Sequence, residues 1–148
     1  MNEGGKADTL FNAESQYGRT CTLLIFSAKA GHAQIVELLL KRGADINLQV
    51  RVNTALNAAA HCGRKRMVEM LLQHGAELNP QDSAAWSALA AAAKGGQERV
   101  VDLLLRRGAE IDTQDRNGCT ALLLAAYFNH PSVVLRLLRA GADMTLRD

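Results

Sequence analysis

The stretch AGHAQIVELLLKRGADIN (30–47) contains a glycine pivot, a leucine-rich run and a Gly-Ala-Asp triplet in that order. The same order returns three more times along the 148-residue chain, with Asn129 as the pivot and Gly-Ala-Asp again in the last copy. The two middle copies end on Gly-Ala-Glu. The triplet glycines lie 32, 33 and 33 positions apart: Gly43, Gly75, Gly108 and Gly141. A fixed period of this length is typical of proteins that stack one small structural unit.

Each copy has a second apolar segment before its pivot, such as TALNAAA (54–60) and TALLLAA (120–126). A hydroxyl residue begins each of these segments, where it can accept a hydrogen bond from a free helix N–H: Thr22, Thr54, Ser87 and Thr120. The pivot residues tolerate the left-handed conformation that ends a helix: Gly31, Gly63, Gly96 and Asn129. Pro131 suits the first turn of a helix. The sequence therefore predicts four stacked helix pairs and no multi-strand sheet core.

Composition and charge narrow the class of protein. Apolar residues make up 48% of the chain and aromatic residues only 4%, which favours a folded helical protein. The net charge of +2 gives little support for nucleic-acid binding. We expect no membrane span, because no apolar run reaches the required length, and no secretory signal in MNEGGKADTL (1–10). Three dispersed cysteines, Cys21, Cys62 and Cys119, predict free thiols in a reducing compartment, so we expect a cytoplasmic or nuclear protein.

The four units resemble ankyrin repeats, a family with a period of about 33 residues and with a β-turn and two helices in each unit. The family pattern is roughly D-x-x-G-x-T-P-L-H-x-A-A-x-x-G-H-x-x-I-V-x-L-L-L-x-x-G-A-D-x-N, and residues 30–47 and DRNGCTAL (115–122) match it best. The resemblance implies an all-α ankyrin solenoid with short β-turn fingers. We divide the chain into an N-terminal tail (1–16), with a capping helix at 8–15, and four units. Units 1 to 4 comprise residues 17–48, 49–81, 82–114 and 115–148.

The units also depart from the family pattern. None has Thr-Pro-Leu-His, and the histidine of that motif is replaced by other residues: Ile25, Asn57, Ala90 and Leu123. In the family this histidine ties neighbouring turn loops together, so the resemblance leaves the loop hydrogen bonds of this chain open. Asp148 lies where a fifth unit would begin, and the last helix has Arg136 and Arg139 as its charged residues. One interpretation is an excised part of a longer array.

We find no catalytic or metal-binding pattern in the sequence. His32 and His130 occupy the Gly-His pivot of the family, where we expect a hydrogen bond at the helix start. His61 and Cys62 are adjacent, so their side chains diverge by about 100° on a helix, and no CxxC or HxxxH partner is present. No phosphate-binding, dinucleotide-binding or G-x-S-x-G motif occurs. We therefore expect neither enzymatic activity nor a cofactor nor a bound metal.

The resemblance implies a protein-binding module, because turn tips and the exposed side of the first helix contact partners in ankyrin proteins. The positions that the repeat pattern leaves free give our predicted partner site: Arg51, Asn53, His61, Trp86, Lys94, Arg116, Tyr127 and Phe128. Trp, Tyr and Arg are enriched in binding hot spots. Lys94 and Arg116 favour a partner segment with acidic residues, and no small-molecule substrate is expected. Filling of the core is the alternative role for Trp86 and Phe128.

Three other functions remain open. The chain could recruit substrates as a segment of a larger enzyme, channel or receptor. It could bind an anion or nucleic acid through Arg64, Lys65 and Arg66, whose charges lie at a helix start that disfavours cations, although a solvated corner is the plainer interpretation. An engineered binder is the third, and the irregular units and free cysteines argue against it.

The resemblance also implies a modification. In ankyrin proteins of animals, the asparagine after Gly-Ala-Asp-Val/Ile can be a target of an asparaginyl hydroxylase, and Asn47 stands in that context. Asn79 matches it less well. A connector asparagine that forms local hydrogen bonds is the alternative interpretation of Asn47.

Overall fold

The computed structural model describes residues 10–11, 21–50, 53–80 and 86–145. These residues form eight α-helices in four consecutive pairs: α1 Leu23–Ala30, α2 Ala33–Lys41, α3 Ala55–His61, α4 Lys65–Gln73, α5 Ala88–Lys94, α6 Glu98–Arg106, α7 Ala121–Tyr127 and α8 Pro131–Arg139. Strand structure in this part of the chain is limited to β1 (Leu10–Phe11) paired antiparallel with β2 (Cys21–Thr22), and an isolated bridge between Val50 and Asn53. The predicted all-α fold of stacked helix pairs is confirmed.

The first helix of each unit begins where the sequence predicts, because a hydroxyl caps it. The hydroxyl oxygens of Thr22 and Thr54 accept hydrogen bonds from the third residue after them at 3.1 and 3.2 Å. Those of Ser87 and Thr120 do the same at 3.0 and 3.2 Å. Each bond satisfies a helix N–H that has no acceptor within its own helix.

The pivots end the first helices in the left-handed conformation. Gly96 has φ +68°, and Asn129 takes the same conformation with φ +62°. Asparagine adopts this conformation more readily than most residues that have a side chain. At Gly96 the close packing of the next unit adds a second requirement, because a Cβ there would lie 2.5 Å from the imidazole Nδ1 of His130.

The core lies between the first and second helices and continues from unit to unit. First helices pack on first helices in the order α1, α3, α5, α7, and the second helices form the outer layer. Leu56 and Leu89 line the inner layer, and Val68, Val101 and Leu104 line the outer one, all of them buried. One helix pair is too small to bury its apolar face, so each unit relies on its neighbours for a core.

The side chain of the residue after each pivot connects its unit to the one before it. Arg64 Nε donates to the Lys29 carbonyl at 3.2 Å, and Gln97 Nε2 donates to the His61 carbonyl at 3.1 Å. His130 Nε2 lies 3.0 Å from the Lys94 carbonyl, to which it donates. These carbonyls lie at the ends of the preceding first helices, where they lack a helical N–H partner.

The prediction of a helix-start hydrogen bond at His32 and His130 is therefore wrong. Neither imidazole caps the helix that follows it. At His130 the ring turns back over Gly96 instead, because the preceding unit offers both open space and an unpaired carbonyl there.

The connectors add bonds in the opposite direction along the chain. Asn47 Oδ1 accepts from the Glu77 backbone N–H at 2.8 Å, and Asn79 Oδ1 accepts from that of Glu110 at 2.8 Å. Asp112 Oδ1 takes the same place for the Asp143 N–H at 2.9 Å. Each junction is thus bonded from both of its units.

Between units 2 and 3 an asparagine provides the loop bond that the family motif assigns to histidine. Asn57 Nδ2 donates to the Trp86 carbonyl at 2.7 Å, and Asn57 is buried. Ile25, Ala90 and Leu123 have no side-chain donor for such a bond. The replacement of this histidine therefore removes the loop bond at some junctions but not at this one.

The expected capping helix at 8–15 is wrong at Leu10 and Phe11, which form β1. Their backbone is extended and pairs with Cys21 and Thr22 just before α1 begins. This pairing satisfies backbone groups beside the Thr22 cap, and a helix over the same residues would not offer it. The rest of 8–15 lies outside the described residues.

Candidate functional site

Four of the eight predicted partner residues form one cluster on units 3 and 4. The Lys94 ammonium nitrogen lies 4.5 Å from the centroid of the Trp86 ring and 5.3 Å from that of Phe128. The Tyr127 and Phe128 rings meet edge to face, with centroids 5.1 Å apart. We call Trp86, Lys94, Tyr127 and Phe128 the aromatic cluster.

Helix packing places the aromatic cluster. Trp86 directly precedes the Ser87 cap of α5, and Lys94 is the last residue of α5, about 12 Å further along the axis. Side chains on a helix lean toward its N-terminus, so the Lys94 stem runs back along α5 toward Trp86. Because α7 packs on α5, the end of α7 brings Tyr127 and Phe128 beside Lys94.

The members of the aromatic cluster differ in exposure. Trp86 is half-buried and packs against the core, so it combines a structural role with a surface face. Phe128 is 41% exposed and Tyr127 is 83% exposed. A cation held over aromatic rings gains about 0.5–2 kcal/mol, which positions the Lys94 charge at the surface. The aromatic cluster thus offers flat apolar area beside one fixed positive charge.

The other predicted residues lie outside this cluster. The backbone of Asn53 pairs with that of Val50, and the exposed His61 has its Nδ1 3.3 Å from the Ala91 carbonyl. Arg116 is exposed in the turn of unit 4 between Asp115 and Gly118. Within the described part of the chain, no hydrogen bond or ion pair joins Arg116 to the aromatic cluster. Arg51 lies outside the described residues.

The basic corner and Asn47 are both involved in contacts between units. Arg64 of the Arg64–Arg66 corner donates to the Lys29 carbonyl, whereas Lys65 and Arg66 are exposed at the start of α4. Asn47 is exposed, and its Oδ1 accepts from the Glu77 N–H. The side chain of Asn47 therefore bonds the next unit, whereas the local hydrogen bond of this connector is made by its backbone N–H, which donates to Asp45 Oδ1 at 2.9 Å.

One charged group at a junction was not anticipated from the sequence. Arg136 on α8 donates to Asp102, and to Glu98 at 3.2 Å, both on α6. The hydrogen bond with Asp102 raises the pKa of the Arg136 guanidinium above its ordinary value. A spacing argument could have found this pair, because Arg136 replaces an apolar residue of the repeated leucine run and Asp102 lies 34 positions before it.

Among the described residues, no group of three or more His, Cys, Asp or Glu side chains is placed to hold a metal ion. None of the helices in these ranges combines the length and the apolar character needed to cross a membrane.

Comparison with known proteins identifies the family. The family model described as "Ankyrin repeats (3 copies)" matches the chain over residues 4–82 and again over 79–148. No curated protein matches the chain. The two family matches together extend over almost the whole sequence, and the helix pairs, capped starts and left-handed pivots recur within them at the same period. The chain belongs to the ankyrin-repeat family.

Proposed function

We propose that this chain is a scaffold or adaptor segment that binds a partner protein through the concave face and turn tips of units 3 and 4. Ankyrin repeats are in general modules that bind other proteins, and they typically have no catalytic activity. The observation that carries the proposal is the aromatic cluster, in which an almost fully exposed Tyr127 adjoins Phe128 and Lys94. Exposed aromatic area of this kind is typical of binding hot spots.

The charge of the aromatic cluster suggests the chemistry of the partner. Within the residues that the structure describes, Lys94 has no carboxylate at ion-pair distance, so its charge is neutralised by no group of its own chain there. Arg116 adds a second positive charge on unit 4. A partner segment with an acidic residue next to an aromatic or aliphatic one would match both the charge and the apolar area.

The test uses a partner recovered by affinity purification and then measured by calorimetry. Tyr127→Ala and Phe128→Ala should each weaken binding by about 1–2 kcal/mol, the range that marks a hot spot. Lys94→Gln should weaken it as well, whereas Lys94→Arg should retain most of the affinity because it keeps the charge. Gln73→Ala, at an exposed position on α4, is the matched control. Wild-type affinity in Tyr127→Ala and Phe128→Ala together would rule out the aromatic cluster as the site.

Binding of an anion or nucleic acid at Arg64–Arg66 is less well supported. Arg64 is held by the Lys29 carbonyl, which leaves Lys65 and Arg66 as the exposed cations of that corner. Binding that weakens steeply with salt, and that Lys65→Gln with Arg66→Gln abolishes, would favour this alternative.

We further propose that the chain acts in the cytoplasm or nucleus, either by itself or as the recruiting segment of a larger enzyme, channel or receptor. Cys62 is a free thiol, which fits a reducing compartment. Recruitment of a substrate would use the same aromatic cluster, so the variants above apply to it unchanged.

Asn47 is our candidate for hydroxylation by an asparaginyl hydroxylase. Its exposure favours access, but its bond to the Glu77 N–H must open before an enzyme can take the side chain. Incubation with such a hydroxylase should add one oxygen to the peptide that contains Asn47, and Asn79 provides the internal comparison. An unchanged peptide mass would reject the assignment.

A further inference from the structure

The C-terminal end of the described stack exposes apolar side chains that the preceding units bury. We call this surface the C-terminal end face and define it by five residues: Leu123, Ala126, Val134, Leu135 and Leu138. Most of them line a shallow cavity of about 380 Å³ together with Asn129, His130 and Pro131. Ala93, one unit before Ala126, is fully buried under unit 4, whereas Ala126 is exposed. The C-terminal end face is therefore the surface on which the next unit of such a stack would pack.

The opposite end of the stack exposes the complementary set. We call it the N-terminal end face and define it by three residues: Leu23, Ile35 and Leu38. Leu38 is 53% exposed, but Leu103, at the same position two units later, is 3% exposed because unit 2 covers it. Met67, which is equivalent to Ile35, is likewise buried. The N-terminal end face thus presents the side of a unit that normally packs on the preceding one.

The two end faces also match in polarity. Between units 3 and 4, Arg136 pairs with Glu98 and Asp102. One period after Glu98 and Asp102 stand Pro131 and Leu135, and three periods before Arg136 stands Leu38. Leu135 is 48% exposed. A junction between the two faces would therefore replace each member of the charged group by an apolar residue and leave no ion without a partner.

We propose that the C-terminal end face binds the N-terminal end face of a second copy of this chain and so extends the stack head to tail. Such a contact uses two different surfaces, so it does not close into a symmetric dimer and can continue along a row of copies. The proposal goes beyond partner binding at the aromatic cluster and uses none of its side chains. Either proposal can therefore fail without the other.

Asn129 should make this junction weaker than the junctions inside the chain. His130 packs over Gly96 and donates to the Lys94 carbonyl. Across two copies, His32 would take the place of His130 and Asn129 that of Gly96. The Asn129 side chain fills the space that the glycine leaves, so His32 must take another rotamer and lose the equivalent bond to the Tyr127 carbonyl. Asn129→Gly should therefore strengthen the association.

The experiment measures the mass of the 148-residue chain by sedimentation between about 1 and 200 µM, which spans weak to moderate affinities. The wild type should rise from the 16.0 kDa monomer past the dimer as the concentration increases. Leu38→Glu and Leu135→Glu each block one face and should remain monomeric. An equimolar mixture of the two has one intact face of each kind and should form a dimer that grows no further.

Two exposed positions that point away from neighbouring units provide matched charge controls. Gln34→Glu on α2 and Ser132→Glu on α8 should associate as the wild type does. Asn129→Gly should lower the apparent dissociation constant at least about threefold, a change in free energy well within that of a single hydrogen bond. Circular dichroism should show wild-type helix content in all variants.

Several results would overturn the proposal. One is a wild type that stays monomeric throughout, and another is a mixture of Leu38→Glu and Leu135→Glu that does not dimerise. Dimers of Leu38→Glu alone would show that two C-terminal end faces pair with each other. An Asn129→Gly chain that associates no better than the wild type would exclude a junction built like those inside the chain.

Discussion

Units 3 and 4 have the same architecture, but equivalent side chains are buried to different extents in the two units. In α5 every alanine is buried between α3 and α7. Ala126 of α7, which is equivalent to Ala93 of α5, is exposed. Val101 of unit 3 is fully buried, and its counterpart Val134 is half-buried. The side chains are identical at both pairs of positions, so burial here depends on the presence of a neighbour. Stability should accordingly follow a sum over neighbouring units.

The largest expected effect is a cavity inside unit 3. Leu104→Ala removes a fully buried side chain and should lower the free energy of unfolding by about 2–5 kcal/mol. Equilibrium denaturation in urea measures this change. A loss below about 0.5 kcal/mol would mean that the inner units tolerate cavities far better than close packing allows.

A matched pair of valines tests the comparison between the units directly. Val101→Ala should lower the free energy of unfolding by about 2 kcal/mol, because it removes two buried carbon groups. Val134→Ala removes the same atoms from a half-buried position and should lower it by about half as much. Equal losses in urea denaturation would contradict the view that unit 4 lacks a covering neighbour.

Removing a helix cap should lower the free energy of unfolding equally in units 3 and 4, because a cap acts within its own unit. Ser87→Ala and Thr120→Ala should each lower the free energy of unfolding by about 1 kcal/mol. Thermal and chemical denaturation of both variants measure this. A clearly smaller loss for Thr120→Ala would show that the last unit frays independently of the rest.

The smallest effect concerns the connector after unit 4. Hydrogen bonds from the Thr145 hydroxyl and backbone N–H lower the pKa of Asp143 below its ordinary value. A carboxyl with a lowered pKa in the folded chain stabilises that chain above its ordinary pKa, and this stabilisation is lost as the pH falls through the lowered value. Thr145→Val should raise the pKa of Asp143 in an NMR titration. No change would show that the hydroxyl does not hold the carboxylate.

The fold could be predicted because its local chemistry recurs four times. Caps such as Thr120 and left-handed pivots such as Asn129 depend on a few neighbouring residues, which the sequence displays directly. The bond from His130 to the Lys94 carbonyl could not be predicted in this way, because it depends on how two units stack. β1 was missed for a related reason, since residues 8–15 have no period to compare with.

The candidate site could likewise be predicted only in part. Because the units repeat in phase, equivalent positions lie on the same side of the stack. The proximity of Trp86, Lys94, Tyr127 and Phe128 could therefore be predicted from the repeat period. The contact of the Lys94 ammonium with both the Trp86 and the Phe128 ring could not be predicted in this way, because it depends on the direction that a long side chain takes along α5. The role of these residues in binding stays a prediction.

The hydrogen bonds between units have a mechanical consequence. Among the described residues, the side chain after each pivot bonds the preceding unit and a connector side chain bonds the following one. Under tension applied at its two ends, the stack is a set of springs in series, and every junction carries the same load. The weakest junction then yields first. Each released unit of about 33 residues lengthens the chain by roughly 100 Å, so extension should proceed in countable steps.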